Sequence, residues 1–248
     1  MSSERQIILA FDVYGTLLST ESIAKQLASH FGAEEASSIA AEWRKYQLEY
    51  TWRLNSMNRY EPFSSVTRKA LEHALAEAGQ SLAERHVEAL MEAYNSLTLF
   101  PDVAPLFEHL SSSSSSHIYP VVFSNGTHAM IHASLNGSSE ISPHAHLFQK
   151  IVVVEPVKRF KPDPEVYRYL CDEVGRGGEG EEKEVWLVSG NPFDVVGANA
   201  VGLRTCWVDR AGKGWCDRLG DGETGRPTVV VNGVDKVVEE VQKCVARG

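Results

Sequence analysis

Asp12 closes a short apolar run, Ile7-Ile8-Leu9-Ala10-Phe11, and opens the segment Asp12-Val13-Tyr14-Gly15-Thr16-Leu17. Three more apolar runs are followed by polar groups. Pro120–Phe123 leads into Ser124-Asn125-Gly126-Thr127, Ile151–Val154 into Arg159-Phe160-Lys161-Pro162-Asp163, and Val185–Val188 into Ser189-Gly190-Asn191-Pro192-Phe193-Asp194. If the runs are parallel strands, these groups share the rim where open sheets bind ligands. A carboxylate is a weak nucleophile in water because water solvates its charge. In a closed pocket with oriented donors it can attack an electrophilic carbon. Asp12 is the candidate nucleophile, its backbone set by a turn at Gly15; the plainer alternative is a helix N-cap. Lys161 is the cation that would hold Asp12 ionised and stabilise charge on an intermediate; the plainer alternative is a solvated surface lysine. Ser124, with the backbone N–H groups around Asn125 and Gly126, offers donors to a substrate carboxylate at a helix start.

These groups need a scaffold. Runs of the same form recur at Thr205–Val208 and Thr228–Val231, and helical stretches separate most of them. Short runs buried on both faces, alternating with helices, predict an α/β fold with a doubly wound parallel sheet. From about Thr20 to Leu99 the alternation stops and about four helix-like segments follow. The clearest runs from Glu34 to about Asn58, with Ile39, Trp43, Tyr46 and Tyr50 at three- and four-residue steps. The expected division is a core of residues 1–19 and 100–248, with residues 20–99 as a helical cap domain inserted after the first strand. Phe100-Pro101-Asp102 marks re-entry into the core, since proline ends a helix. The serine run Ser111–Ser116 and the Gly175–Gly180 segment read as solvated or flexible connections without chemistry.

The four rim segments resemble the signature segments of the haloacid dehalogenase superfamily. They are most similar to its branch of 2-haloacid dehalogenases acting on L-substrates. The inserted stretch Trp43-Arg44-Lys45-Tyr46-Gln47-Leu48-Glu49-Tyr50-Thr51-Trp52, then Met57-Asn58-Arg59-Tyr60, lies outside the superfamily-wide segments and points to that branch. The resemblance implies a Rossmann-like core with a helical lid and a two-step hydrolysis. Asp12 displaces halide from the carbon alpha to a carboxylate, with inversion. Water then cleaves the Asp12 ester, turning (S)-2-haloacids into (R)-2-hydroxyacids without a cofactor. By the same resemblance Thr16 bonds the nucleophile, and Asp194, with Ser189 and Asn191, positions the water. Arg44 on the lid receives the halide, Tyr167 supports the site, and Leu48 and Phe63 line its apolar side. A homodimer is also implied.

Three departures carry information. Most superfamily phosphatases have a second Asp where Tyr14 stands, to protonate a leaving alkoxide; a halide needs no proton, so its loss disfavours phosphate-ester hydrolysis rather than dehalogenation. Ser189-Gly190-Asn191 lacks the acidic residues that hold magnesium in phosphatases, so no metal is expected. The branch usually carries Ser at Gly190 and Trp at Phe193. Phenylalanine keeps the apolar wall but lacks the indole donor. That leaves open a related reaction, hydrolysis of azetidine-2-carboxylate by the same nucleophile, where the leaving group is a ring nitrogen. A magnesium phosphatase and a binding protein without turnover are the remaining alternatives.

Bulk properties agree. The chain has 248 residues, 43% hydrophobic and 23% charged, with net charge −9, which argues against a nucleic-acid partner. No apolar stretch is long enough to span a bilayer, and the first residues lack the basic and apolar parts of a signal peptide, so a cytoplasmic protein is expected. Cys171, Cys206, Cys216 and Cys244 are widely spaced and read as free thiols. His128 and His132 have metal-like spacing but read as surface histidines. No G-x-G-x-x-G follows a strand and no G-x-S-x-G is present.

Overall fold

A computed structural model of the chain describes residues 6–112, 115, 117–220, 222 and 225–247. The signal-peptide reading at residues 1–5, and Ser113, Ser114 and Ser116 of the serine run, lie outside the described residues. The apolar runs form β1 (Ile7–Phe11), β2 (Ile118–Ser124), β3 (Lys150–Val153), β4 (Val185–Ser189), β5 (Arg204–Val208) and β6 (Val229–Val231). They make one parallel sheet in the order β3-β2-β1-β4-β5-β6. Every side chain of β1 and β4 is buried, as central strands covered on both faces require. The chain winds outward from β1 to β3, then returns past β1 to β4. The winding therefore reverses between β1 and β4, and a crevice opens at their carboxyl ends. Phe11 pairs with Val122 and with Val188, which sets Asp12 level with Phe123 and Ser189.

Between β1 and β2 lie α1 (Ala24–Phe31), α2 (Ala33–Ser56), α3 (Phe63–Glu77) and α4 (Glu84–Tyr94), then α5 (Val103–Ser111). Helix α2 begins and ends close to the expected limits. It buries Ile39, Ala40, Trp43, Tyr46, Gln47, Thr51 and Leu54, a stripe at helical spacing, while Tyr50 is only half-buried. The re-entry segment differs from expectation. Helix α4 already stops at Tyr94, and Pro101 lies in the turn before α5. Between them the chain crosses back beside the outgoing segment. Leu18 bridges Leu99, Ser19 N–H donates to Thr98 O at 2.9 Å, and Phe100 N–H donates to Leu17 O at 3.1 Å. The two connections between sheet and insertion thus run antiparallel and pair with each other.

The remaining helices are α6 (His128–Gly137), α7 (Pro164–Glu173), α8 (Pro192–Ala200) and α9 (Val237–Arg247). Ser124 ends β2 rather than starting a helix. The cap of α6 is Thr127, whose hydroxyl accepts from Met130 N–H. His128 and His132 are exposed on α6 with their rings stacked. All four cysteines are free thiols. Among the described residues no helix is long and apolar enough to cross a membrane.

Candidate active site

Asp12 follows β1 directly and is 6% exposed. Its N–H donates to Val188 O at 2.9 Å, so it continues the β1–β4 ladder and caps no helix. The turn after it needs Gly15, whose φ is +85°. Thr16 Oγ1 and Asn191 Nδ2 donate to Asp12 Oδ2 at 2.7 and 2.8 Å, and Ser189 Oγ lies 3.5 Å from the same oxygen. Asp12 Oδ1 accepts from Lys161 Nζ at 3.0 Å.

Lys161 is 1% exposed, so it is no surface lysine. Its ammonium has three donors, and all three are used: Asp12 Oδ1, Asp194 Oδ2 at 2.8 Å and Phe123 O at 2.9 Å. Burial alone would pull its pKa down; the carboxylates of Asp12 and Asp194 outweigh that and hold it above the ordinary lysine value. Asp194, fully buried in the first turn of α8, also accepts from Tyr167 OH at 2.8 Å. Tyr167 reaches it because α8 carries Gly197 there, where a Cβ would stand 2.6 Å from the phenol oxygen. Burial drives the Tyr167 pKa well above its usual value, so the phenol stays a donor. Asn125 uses Oδ1 to accept from Lys161 N–H at 2.8 Å, and Ser124 Oγ accepts from Gly126 N–H at 3.0 Å, which leaves the Ser124 proton and the Asn125 amide protons for a ligand.

Arg44 comes from α2. Its Nη2 donates to Tyr14 O at 3.2 Å and to Asn191 Oδ1 at 3.4 Å, next to the amide that holds Asp12. A surface cleft of about 330 Å³, lined in part by Thr20, Ala40 and Ala41, reaches Arg44 from the solvent side. Phe63, at the start of α3, stacks on Tyr14 with ring centroids 5.6 Å apart, and Leu48 is half-buried on α2. Tyr14 itself is buried, which raises its pKa, and its hydroxyl lies over Gly126, where any Cβ would meet the ring at 3.0 Å. The phenol is turned toward the β2 loop. Phe193 is half-buried and meets Trp52 of α2 edge to face at 5.4 Å.

Further contributors escape the sequence reading. Asn55 and Gln47 of α2 bond to groups that carry the site (Phe160 and Arg44). Arg210 donates to Thr16 O at 2.7 Å and to Asp102 at 3.0–3.1 Å, tying the turn after Asp12 to the start of α5. A magnesium ion takes six oxygen ligands in near-octahedral geometry. Here an ammonium bridges the two carboxylates, and Ser189-Gly190-Asn191 adds none. Among the described residues no group of three or more His, Cys, Asp or Glu is placed to hold a metal. The donor set does not fit a magnesium site.

Residues 8–202 match the family model of haloacid dehalogenase-like hydrolases. The chain is 33% identical over 202 residues to (S)-2-haloacid dehalogenase 4A of Burkholderia cepacia, covering 82% of each chain. It is 33% identical over 222 residues to an (S)-2-haloacid dehalogenase of Pseudomonas fluorescens, covering 89% of this chain and 90% of the relative. Among solved structures, the L-2-haloacid dehalogenase of Xanthobacter autotrophicus with chloropropionic acid covalently bound superposes with a TM-score of 0.79 at 27% identity, over 96% of this chain and 98% of that one. With this sheet order and these relatives, the chain belongs to the haloacid dehalogenase-like hydrolases, in the branch of the 2-haloacid dehalogenases.

Proposed function

We propose that the protein hydrolyses short (S)-2-haloacids to (R)-2-hydroxyacids through an ester on Asp12. The observation that carries this reading is the buried Asp12 carboxylate, bonded by Thr16, Asn191 and Lys161, with Tyr14 where a phosphatase would keep its acid. In the first step a carboxylate oxygen of Asp12 bonds to the carbon alpha to the substrate carboxylate. The carbon–halogen pair leaves as halide toward Arg44, and the carbon inverts. In the second step water adds to the Asp12 carbonyl carbon. The bond from that carbon to the ester oxygen breaks, and the hydroxyacid leaves with an oxygen that began on Asp12. One proton is released for each turnover. Asp194, with Ser189 and Asn191, aligns the water; Ser124 and Asn125 receive the substrate carboxylate; Leu48, Phe63 and Phe193 form the apolar wall. The ammonium of Lys161 balances the charge that Asp12 gains and loses. The helical insertion acts as the lid that keeps water from the first step. A cytoplasmic homodimer completes the reading, and sedimentation tests the pairing.

Single turnover of 2-chloropropionate in oxygen-18 water tests the ester. The expected product is unlabelled while Asp12 gains the label. Label in the first-turnover product with Asp12 unlabelled means direct attack by water. Asp12→Asn is the control for halide release.

One observation favours a second reading. Phe193 offers no N–H to a departing halide, so an azetidine-2-carboxylate hydrolase with the same nucleophile fits the wall equally. Incubation with that compound and with 2-chloropropionate separates the two.

A further inference from the structure

Gln47 lies on α2 close to Arg44, and its side chain is fully buried. Four hydrogen bonds fix which way its amide faces. The carbonyl oxygen of Phe63 can only accept, so the Thr67 hydroxyl 2.7 Å away must donate to it. The Thr67 oxygen is then an acceptor, and the group facing it at 2.7 Å is Gln47 Nε2. Gln47 Oε1 is therefore turned the other way, toward two donors: Arg44 Nη1 at 2.7 Å and Tyr94 OH at 3.0 Å. A flipped amide would set N–H against N–H at Arg44. The fixed end is itself anchored, because Trp43 Nε1 donates to Thr67 O at 2.7 Å. The Tyr94 ring packs against both Trp43 and Tyr14.

We propose that Gln47 is a positioning residue: the one-way relay Phe63 O–Thr67–Gln47 fixes the Arg44 guanidinium, and through it the preference of the enzyme among leaving groups. The leaving-group part rests on the dehalogenase reading above. Arg44 carries several rotatable bonds, and Gln47 Oε1 holds its Nη1 at 2.7 Å. With Nη1 held, Nη2 faces the Tyr14 carbonyl and the Asn191 amide beside the nucleophile. A cation fixed there assists a departing anion without reorganising during the reaction. Chloride leaves less readily than bromide, so it depends more on that assistance.

The test is Gln47→Leu, assayed with 2-chloropropionate and 2-bromopropionate. The expected result is about a tenfold fall in kcat with the chloro acid, the scale of one hydrogen bond to a charged group, and a smaller fall with the bromo acid. In an Arg44→Leu background, Gln47→Leu should leave the chloro/bromo ratio unchanged, because the two residues act as one unit. Equal losses on both substrates, or independent effects in the double variant, overturn the proposal. Thr67→Val keeps the shape of the side chain and removes the fixed end of the relay, so it reads the same ratio if Gln47→Leu does not fold. A ratio shifted the same way supports the relay, and an unchanged ratio overturns it. Should the unmodified protein release no halide, the dehalogenase reading fails by itself. The crystal structure of Gln47→Leu, or of Thr67→Val, then decides: a displaced guanidinium supports the positioning role, and one unmoved overturns it.

Discussion

Asn55 holds Phe160 by both ends of its amide: Nδ2 donates to Phe160 O at 2.6 Å, and Phe160 N–H donates to Oδ1 at 3.0 Å. The helix that carries Arg44 is thereby fastened to the residue before Lys161. Arg159 adds a bond to Asn58 Oδ1 at 2.5 Å, and Tyr60 stacks on the Phe160 ring. Each bond is worth about 1 kcal/mol net, so Asn55→Ala should release the loop by roughly 2 kcal/mol, or more than tenfold in its opening equilibrium. Amide exchange at residues 158–161 should speed up by that factor, with kcat falling and KM nearly constant. Exchange equal to that of the unmodified protein would mean that the contact fastens nothing.

Lys161→Met should leave two carboxylates in the crevice without their cation. Removing one partner from a buried ion pair costs about 3–5 kcal/mol, and thermal unfolding should report a loss of that order together with loss of turnover. The pH dependence gives a second signature. In the unmodified protein Lys161 is raised, so its contribution is complete below the unfolded lysine value and is lost as pH rises through the folded one. The variant behaves in the opposite way. Burial already raises the Asp194 carboxyl, and without the lysine it rises further. A carboxyl raised on folding destabilises above its folded pKa, and the penalty fades as pH falls through it. The stability gap between variant and parent should narrow as pH falls from neutral toward the ordinary carboxylate range. A gap independent of pH would mean that the cavity, not the charge, dominates.

Gly190 departs from the serine that the family resemblance leads one to expect, and its backbone explains part of the difference. A Cβ there would stand 2.6 Å from Gly15 O, which is backbone and cannot swing aside. Gly190 N–H meanwhile donates to Thr16 Oγ1 at 2.9 Å, orienting the hydroxyl that donates to Asp12. Gly190→Ser should push the Gly15 turn away and loosen the Thr16–Asp12 contact. Overpacking of this kind costs about 1–3 kcal/mol. The expected outcome is a lower melting point and at least a several-fold lower rate of ester formation, followed by rapid quench. An unchanged rate would show that the turn yields freely.

The strand ends were legible because their signal is local. Asp12, Ser124, Ser189 and Asp194 each follow an apolar run, and the parallel sheet brings such ends together. Lys161 was legible by position, but its third partner, Phe123 O, belongs to another strand and leaves no trace in sequence. Gln47, Thr67 and Asn55 were missed for a related reason. Glutamine, threonine and asparagine on a helix look like a solvated face until another helix or loop covers them. Proline misled at the re-entry point. The rule that proline ends a helix makes Pro101 a helix stop, yet α4 ends at Tyr94, and the chain after it pairs with the outgoing segment. Pro101 instead precedes α5.

Phe193 and Trp52 face each other across the junction of α8 and α2, so under the proposed function the wall of the leaving-group side is shared between the core and the insertion. Phe193→Trp would add an indole donor and enlarge a side chain that is only half-buried, with exposed space on the Trp52 side, where Trp52 is 40% exposed. If that N–H turns toward the departing halide, it adds a donor where charge develops, and losses or gains of such donors run to about 3 kcal/mol. The expected outcome is faster release of chloride from 2-chloropropionate, by about tenfold or more, with turnover of azetidine-2-carboxylate unchanged or reduced. The same substitution in the Arg44→Leu background should recover part of the lost chloride release. An equal effect on both substrates would assign the change to packing against Trp52 and remove Phe193 from leaving-group selection.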